Sequence, residues 1–308
     1  MTDPPRQTVP TFLVAGAARC GTTGLVEGLR THSRVFMTDP KEPHYFALYG
    51  QGAHFAGPGD SGTINRATVA DREAYLALYP TEHDYLALGD GSVSTMFYAE
   101  RAVPEILRIN PQMRLVVILR EPVERAYSSY LYLRARGFET EEDFLAAVAD
   151  EPRRKAENWH HLWLYPSMSY YAEDLAILRA GLGEDRVGVF FYDDLQRDYA
   201  GTVRRVQDFL DLPEDPHQDL DVPRVNVSGT PRLQVVQRAI QKATGNELLR
   251  RTVKSLTSFR FRERIRRSGL KPSEVSEEIR ASLAPRFTDD LAELSSMLSG
   301  PVPVWIRS

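Results

Sequence analysis

Residues 12–30, FLVAGAARCGTTGLVEGLR, decide how the rest of the chain is read. Phe12–Ala15 are apolar and few, as suits a parallel strand covered on both faces. Gly16 to Gly21 follow as a loop in which most side chains are too small to keep a ligand off the backbone. Thr22 and Thr23 then open a helix whose apolar positions, Leu25, Val26 and Leu29, share one face. Backbone N–H groups in such a loop, backed by a helix N-terminus, form a site for an anion.

The spacing narrows the anion. A loop built for nucleoside triphosphates has Gly, four residues, Gly, Lys and then Ser or Thr. Here Gly16 and Gly21 keep the interval, but Thr22 stands where the Lys belongs. That Lys reaches the β- and γ-phosphates, so its loss speaks against ATP or GTP hydrolysis and leaves phosphate binding open. A cation lies inside the loop instead, at Arg19. The plainer alternative is a tight strand-to-helix turn with no ligand.

Composition sets the class. The 308 residues are 42% hydrophobic and 26% charged, with a formal net charge of -4. That is ordinary for a globular protein and enough for one large α/β domain or two small ones. The charge balance gives no reason to expect a nucleic-acid partner. The lone cysteine, Cys20, allows no internal disulfide and suggests no cysteine metal site. The opening MTDPPRQTVP lacks an apolar core of signal-peptide length, and no 18-residue apolar run occurs. No membrane span is expected, and a cytoplasmic enzyme is.

The expected elements alternate. Residues 1–10 read as a loose lead-in and Val35–Met37 as a short strand. TDPKEPHYF, 38–46, reads as an extended loop, because prolines bracket Lys41 and Glu42. Residues 50–63 read as a flexible surface loop, Ala70–Tyr79 as a helix, Leu86–Asp90 as a weak strand and Arg101–Ile109 as a helix stopped by Asn110-Pro111. Arg114–Leu119, RLVVIL, is the clearest strand. Arg120 stands at its C-terminal end, where open α/β sheets place ligands. Pro122 suits a helix's first turn, Glu141–Val148 reads as another helix, and Ala172–Leu182, Val187–Tyr192 and Tyr199–Leu210 continue the alternation. The aromatics and histidines of 157–171 could floor a ring-binding cleft or simply belong to the core. His160 and His161 adjoin, so they diverge on a helix and do not chelate one metal. The basic stretch 250–267 is either a solvated face or an anion-attracting rim. We therefore expect an α/β three-layer sandwich of P-loop type, a central parallel sheet with helices on both faces. No domain boundary stands out, so 1–308 reads as one domain whose mainly helical part, 233–308, packs on the sheet.

Four segments together carry a resemblance: GAARCGTTGL (16–25), KEPHYF (41–46), RLVVILREPVERAYSSY (114–130) and NVSGTPR (226–232). In order and spacing the chain resembles sulfotransferases that use 3′-phosphoadenosine 5′-phosphosulfate (PAPS), in the branch of the heparan-sulfate N- and 3-O-sulfotransferases and their bacterial relatives. The resemblance implies that Ala18, Arg19, Cys20, Gly21, Thr22 and Thr23 wrap the 5′-phosphosulfate. The family usually has Lys where this chain has Arg19, so Arg19 is read as a charge stabiliser and not as a proton donor. It implies that Arg120 and Ser128 grip the 3′-phosphate, which ATP lacks, and that Ser228, Gly229 and Arg232 close over the nucleotide. Glu42 matches the family's catalytic base, with His44 the alternative, since side chains two apart in an extended loop point the same way. DGSVS (90–94) resembles a stretch near the acceptor, and Ser169 stands where the family has Gly. The expected reaction moves a sulfuryl group from PAPS to a hydroxyl or amine of a small-molecule or glycan acceptor, releasing 3′-phosphoadenosine 5′-phosphate (PAP), with no metal required. Its rivals are a kinase-like P-loop phosphotransferase and a silent nucleotide- or glycan-binding protein. The oligomeric state and the acceptor stay open.

Overall fold

The computed structural model describes residues 9–81, 84–220, 229–231, 270–272 and 274–307. Five strands, β1 (Phe12–Gly16), β2 (Val35–Met37), β3 (Ala87–Asp90), β4 (Arg114–Leu119) and β5 (Val187–Phe191), form one sheet in the order β2-β3-β1-β4-β5. Every neighbouring pair is parallel: Leu13 lies beside Asp90 on one side and Leu115 on the other, and Val117 lies beside Val189. Helices cover both faces, which is why β1 and the Leu115–Leu119 run of β4 are continuously apolar. Val14, Ala15 and the whole run Leu115–Leu119 are fully buried.

The strand order positions a site. After β1 the chain travels to the β2 edge, whereas after β4 it travels to β5 at the other edge. The loops leaving β1 and β4 therefore part in opposite directions, and a crevice opens between them at the C-terminal ends of the strands. The two loops are Ala17–Gly21 and Arg120–Glu121.

Local chemistry sets most helix limits. The helix Thr22–Arg30 starts after Gly21, whose φ of 87° is the left-handed conformation that favours glycine. Pro122 occupies the first turn of Pro122–Ala135, and the Glu121 carboxylate accepts from the N–H groups of Val123 (3.0 Å) and Glu124 (2.8 Å). Ala172–Leu182 ends at Gly183, φ 98°.

Several expectations need correction. The helix expected over Ala70–Tyr79 is only Arg72–Leu76, because the Asp71 side chain caps it by accepting from Ala74 N–H. The one expected from Glu141 starts at Phe144, because Asp143 is the cap. The loop expected through residue 46 turns helical at Tyr45–Leu48. The 50–63 segment is not merely a surface loop: Asp60 is buried, accepting from the Gly57 N–H (2.9 Å) and the Trp163 indole (3.0 Å). The chain after 232 contains a strand, Leu270–Pro272, paired antiparallel with Gly229–Pro231. Three residues are too few for a periodic signal.

The C-terminal helices Glu277–Leu283 and Thr288–Met297 pack back on the sheet's surroundings. Leu294 and Ile306 join the main core, while Leu283 and Phe287 join a second cluster with Val123, Tyr130 and Trp163. Asp290 accepts from the N–H groups of Tyr171 and Ala172 at 3.0–3.1 Å, so this part of the chain caps the Ala172–Leu182 helix.

Candidate active site

The β1 loop turns tightly from the strand into the next helix. Ala18 and Cys20 are buried, and Arg19 is held in the left-handed region at φ 71°. A Cβ on Gly21 would meet the Leu195 and Tyr192 side chains at 2.7 and 3.0 Å, so backbone alone fits there. The following helix has neither a side-chain cap nor an acid in its first turn, which leaves its N–H dipoles directed at whatever the loop holds. Thr22 is buried and Thr23 half-buried at its start.

Two strand tips meet here. Arg120 Nη1 lies 3.4 Å from the Arg19 carbonyl oxygen, and its guanidinium stacks over the Tyr192 ring at 4.5 Å. Arg19 Nε lies 3.4 Å from Ser128 Oγ, and its guanidinium stacks over Tyr132 at 4.4 Å. Ser128 is 2% exposed, not a surface hydroxyl. Arg19 thus meets Arg120 through its carbonyl and Ser128 through its side chain, at the tips of β1 and β4. The Arg120 carbonyl accepts from the Tyr171 hydroxyl at 2.8 Å, which fixes the strand tip.

Beside this crevice lies the Lys41–His44 loop. Lys41 Nζ is 2.7 Å from Glu42 Oε1, and Glu42 Oε2 is 4.0 Å from His44 Nε2. Glu42 and His44 do lie together, though His44 sits at φ 54° and not in extended backbone. Ser92 and Ser94, from DGSVS, hold the histidine: Ser92 Oγ accepts from His44 N–H, and Ser94 Oγ is 2.9 Å from His44 Nδ1. Burial would raise the Glu42 carboxyl, but Lys41, His44 and Arg19 outweigh it and hold it below the usual carboxylate range. Burial lowers His44 to about 4, so its ring is neutral near pH 7.

Glu42 and His44 line a cleft of about 830 Å³ together with Lys41, Tyr132, His160 and His161. In the aromatic stretch, Trp163, Tyr165 and Tyr171 are core, and His160 and His161 are the members that reach this cleft. Among the described residues no cluster of three acids, histidines or cysteines could hold a metal.

Some participants escaped the sequence reading. Tyr132 lies four residues after Ser128, hence on the same helix face, a spacing that could have found it. Tyr192 directly follows β5, the strand next to β4, so the strand-tip rule pointed there as well. Arg125 gave no signal: it is fully buried behind the loop, donating to Ser169 Oγ and the Tyr165 carbonyl, both at 2.6 Å. Ser169 therefore turns inward to Arg125. Gly229 lies in its short strand beside the Pro122–Ala135 helix, while Ser228, Arg232 and the basic stretch 250–267 fall outside the described residues.

With this geometry in place, comparison with known proteins is decisive. A family model described as Sulfotransferase family matches residues 10–216, about two-thirds of the chain. The chain belongs to the sulfotransferase family. It is 30% identical over 173 residues to carbohydrate sulfotransferase 15 of Mus musculus, an alignment covering 46% of this chain and 30% of that protein. It is 26% identical over 217 residues to the mouse heparan sulfate glucosamine 3-O-sulfotransferase 6, covering 68% and 54%. The chain therefore spans under a third of the length of the first of these relatives. A solved sulfotransferase from Alicyclobacillus acidocaldarius superposes with a TM-score of 0.74 at 24% identity over 96% of this chain and 98% of that one, which establishes the shared fold. The sheet and its surrounding helices are thus those of a sulfotransferase.

Proposed function

We propose that this sulfotransferase moves a sulfuryl group from PAPS to an acceptor hydroxyl or amine and releases PAP. The observation that carries the reading is the meeting of Arg19, Arg120 and Ser128 between the tips of β1 and β4. A ligand with phosphate at both ends of one nucleoside matches that pair of cation sites, with the 5′-phosphosulfate in the loop 18–23 and the 3′-phosphate at Arg120 and Ser128. Gly229, with Ser228 and Arg232 beyond the described residues, belongs to the same nucleotide cradle.

The chemistry follows from the side chains. Glu42, ionised at neutral pH, takes the acceptor's proton as the new O–S or N–S bond forms. Arg19 and the loop N–H groups stabilise charge on the sulfuryl oxygens and on the departing phosphate oxygen, a role in which Arg binds two oxygens at once. Tyr132 restricts the Arg19 guanidinium by stacking on it. Neutral His44, held by Ser94, adjoins Glu42 and can hydrogen-bond the acceptor. No metal enters this scheme, because a guanidinium and a helix N-terminus supply the positive charge.

The acceptor is a small molecule or a glycan, and the cleft beside Glu42 is where it binds. A glycan is supported by the names of the relatives, and a cytoplasmic setting by a lone cysteine that can form no internal disulfide. The whole chain is read as one catalytic domain, supported by the Asp290 cap on the Ala172–Leu182 helix. A kinase-like reading is not favoured, since Thr22 replaces the Lys that a triphosphate needs.

A transfer assay with sulfur-labelled PAPS against a panel of sugars, phenols and amines tests the reading. Label on an acceptor, dependent on Glu42, supports it. Phosphate transfer from ATP, or binding without any transfer, would replace it with one of its rivals.

A further inference from the structure

Arg120 is not alone at its strand tip. Its Nη2 and Nε lie 3.2 and 3.4 Å from Glu124 Oε2. The other oxygen of Glu124, Oε1, accepts from Arg280 Nη2 at 2.9 Å. Arg280 Nη1 donates to Glu121 Oε2 at 3.1 Å. Glu121 is already committed as the cap of the Pro122–Ala135 helix. One carboxylate therefore touches the guanidinium expected to bind phosphate, and a cation from the C-terminal helices reaches both it and Glu121.

We propose that Arg280 is a positioning residue for the donor: by sharing Glu124 with Arg120 and by pairing with Glu121, it draws off carboxylate charge that would otherwise hold Arg120 and repel the 3′-phosphate. The inference rests on the reading that Arg120 takes the 3′-phosphate. Each Glu124 oxygen has its own guanidinium, so the carboxylate sits between Arg280 and Arg120. Without Arg280, Glu124 has Arg120 as its remaining cation, and Glu121 keeps only the helix N–H groups it caps. A phosphate arriving at Arg120 must then displace a carboxylate whose whole charge is directed at the same fork of N–H donors, and no longer shared with Arg280. The C-terminal helices thereby contribute to donor recognition without touching the donor.

The test compares PAP with adenosine 5′-phosphosulfate, which lacks the 3′-phosphate, by titration calorimetry. Arg280→Ala should weaken PAP by roughly 3- to 10-fold, the scale of one partly exposed ion-pair contact, and leave adenosine 5′-phosphosulfate within about 2-fold. Adding Glu124→Gln should restore PAP affinity, because the competing carboxylate is gone. Arg280→Gln carries the same expectation and covers a disturbance of the helix by Ala. Unchanged PAP affinity, equal losses for both ligands, or no rescue by Glu124→Gln would overturn the proposal. Arg120→Ala separates the two levels. If it weakens PAP selectively while Arg280→Ala does nothing, this inference alone falls. If it weakens both ligands equally, the 3′-phosphate reading falls and takes this inference with it.

Discussion

In the proposed reaction Glu42 and Arg19 work at opposite ends of the bond exchange, one withdrawing a proton and the other receiving charge. Glu42→Gln should keep PAP affinity and lose about 10²–10⁴-fold in turnover, the usual worth of a general base. Full turnover in that variant would move the base to His44. The pH profile gives the sign. Lys41, His44 and Arg19 hold the Glu42 carboxyl below its ordinary range, so it is ionised at neutral pH and activity is lost only as pH falls through that lowered value. An acid limb of kcat/KM near pH 6 would contradict this. At the donor end, Arg120→Ala should weaken PAP far more than adenosine 5′-phosphosulfate, measured by calorimetry. The residues proposed for catalysis and donor binding could be picked out because their motifs are contiguous: KEPHYF, the β1 loop and the β4 tip each lie in one short stretch. The contacts behind them were not, since Arg125 with Ser169 and Arg280 with Glu124 meet only after folding.

The elements behave as their sequences dictate where the pattern is long, and depart from it where one side chain decides. β4 and the Ala172–Leu182 helix have the limits that periodicity gives, whereas the helices at Arg72 and Phe144 begin where an aspartate caps them. The β1 loop makes its own prediction. Burial pushes the Cys20 thiol up to about 11 despite Arg125, Arg120 and Arg19, so native protein should resist alkylation at pH 8 and react only on unfolding. Rapid labelling of the folded protein would mean the loop is more open than described. β3 ends on another titratable group. Burial raises Asp90 to about 6, although Ser92 N–H and the Tyr75 hydroxyl donate to it. The folded state then keeps a proton that the unfolded chain releases, so Asp90 lowers stability as pH rises from about 4 to about 6. Denaturant unfolding should show Asp90→Asn gaining on the wild type across that window, by up to about 3 kcal/mol. A difference that is flat with pH would remove Asp90 from the balance.

At the scale of the molecule, the strand order does what no single motif can. Placing β1 beside β4, with their connections leaving in opposite directions, brings residue 19 within reach of residues 120 and 128. The alternation of strands and helices was readable from buried apolar runs, and so was the expectation that Arg120 stands at a ligand crevice. The strand order was not readable from those runs, because every one of the five could pair with any other on hydrophobicity alone. The C-terminal helices are tied to the site through Asp290 and Arg280, contacts more than 100 residues apart in the chain that leave no local trace. The most direct measurement is a crystal structure with PAP bound. The expected result is one nucleotide spanning the crevice, its 5′-phosphate on the N–H groups of residues 18–23 and its 3′-phosphate on Arg120 and Ser128. A nucleotide bound elsewhere, or one whose 3′-phosphate turns away from Arg120, would contradict the assignment.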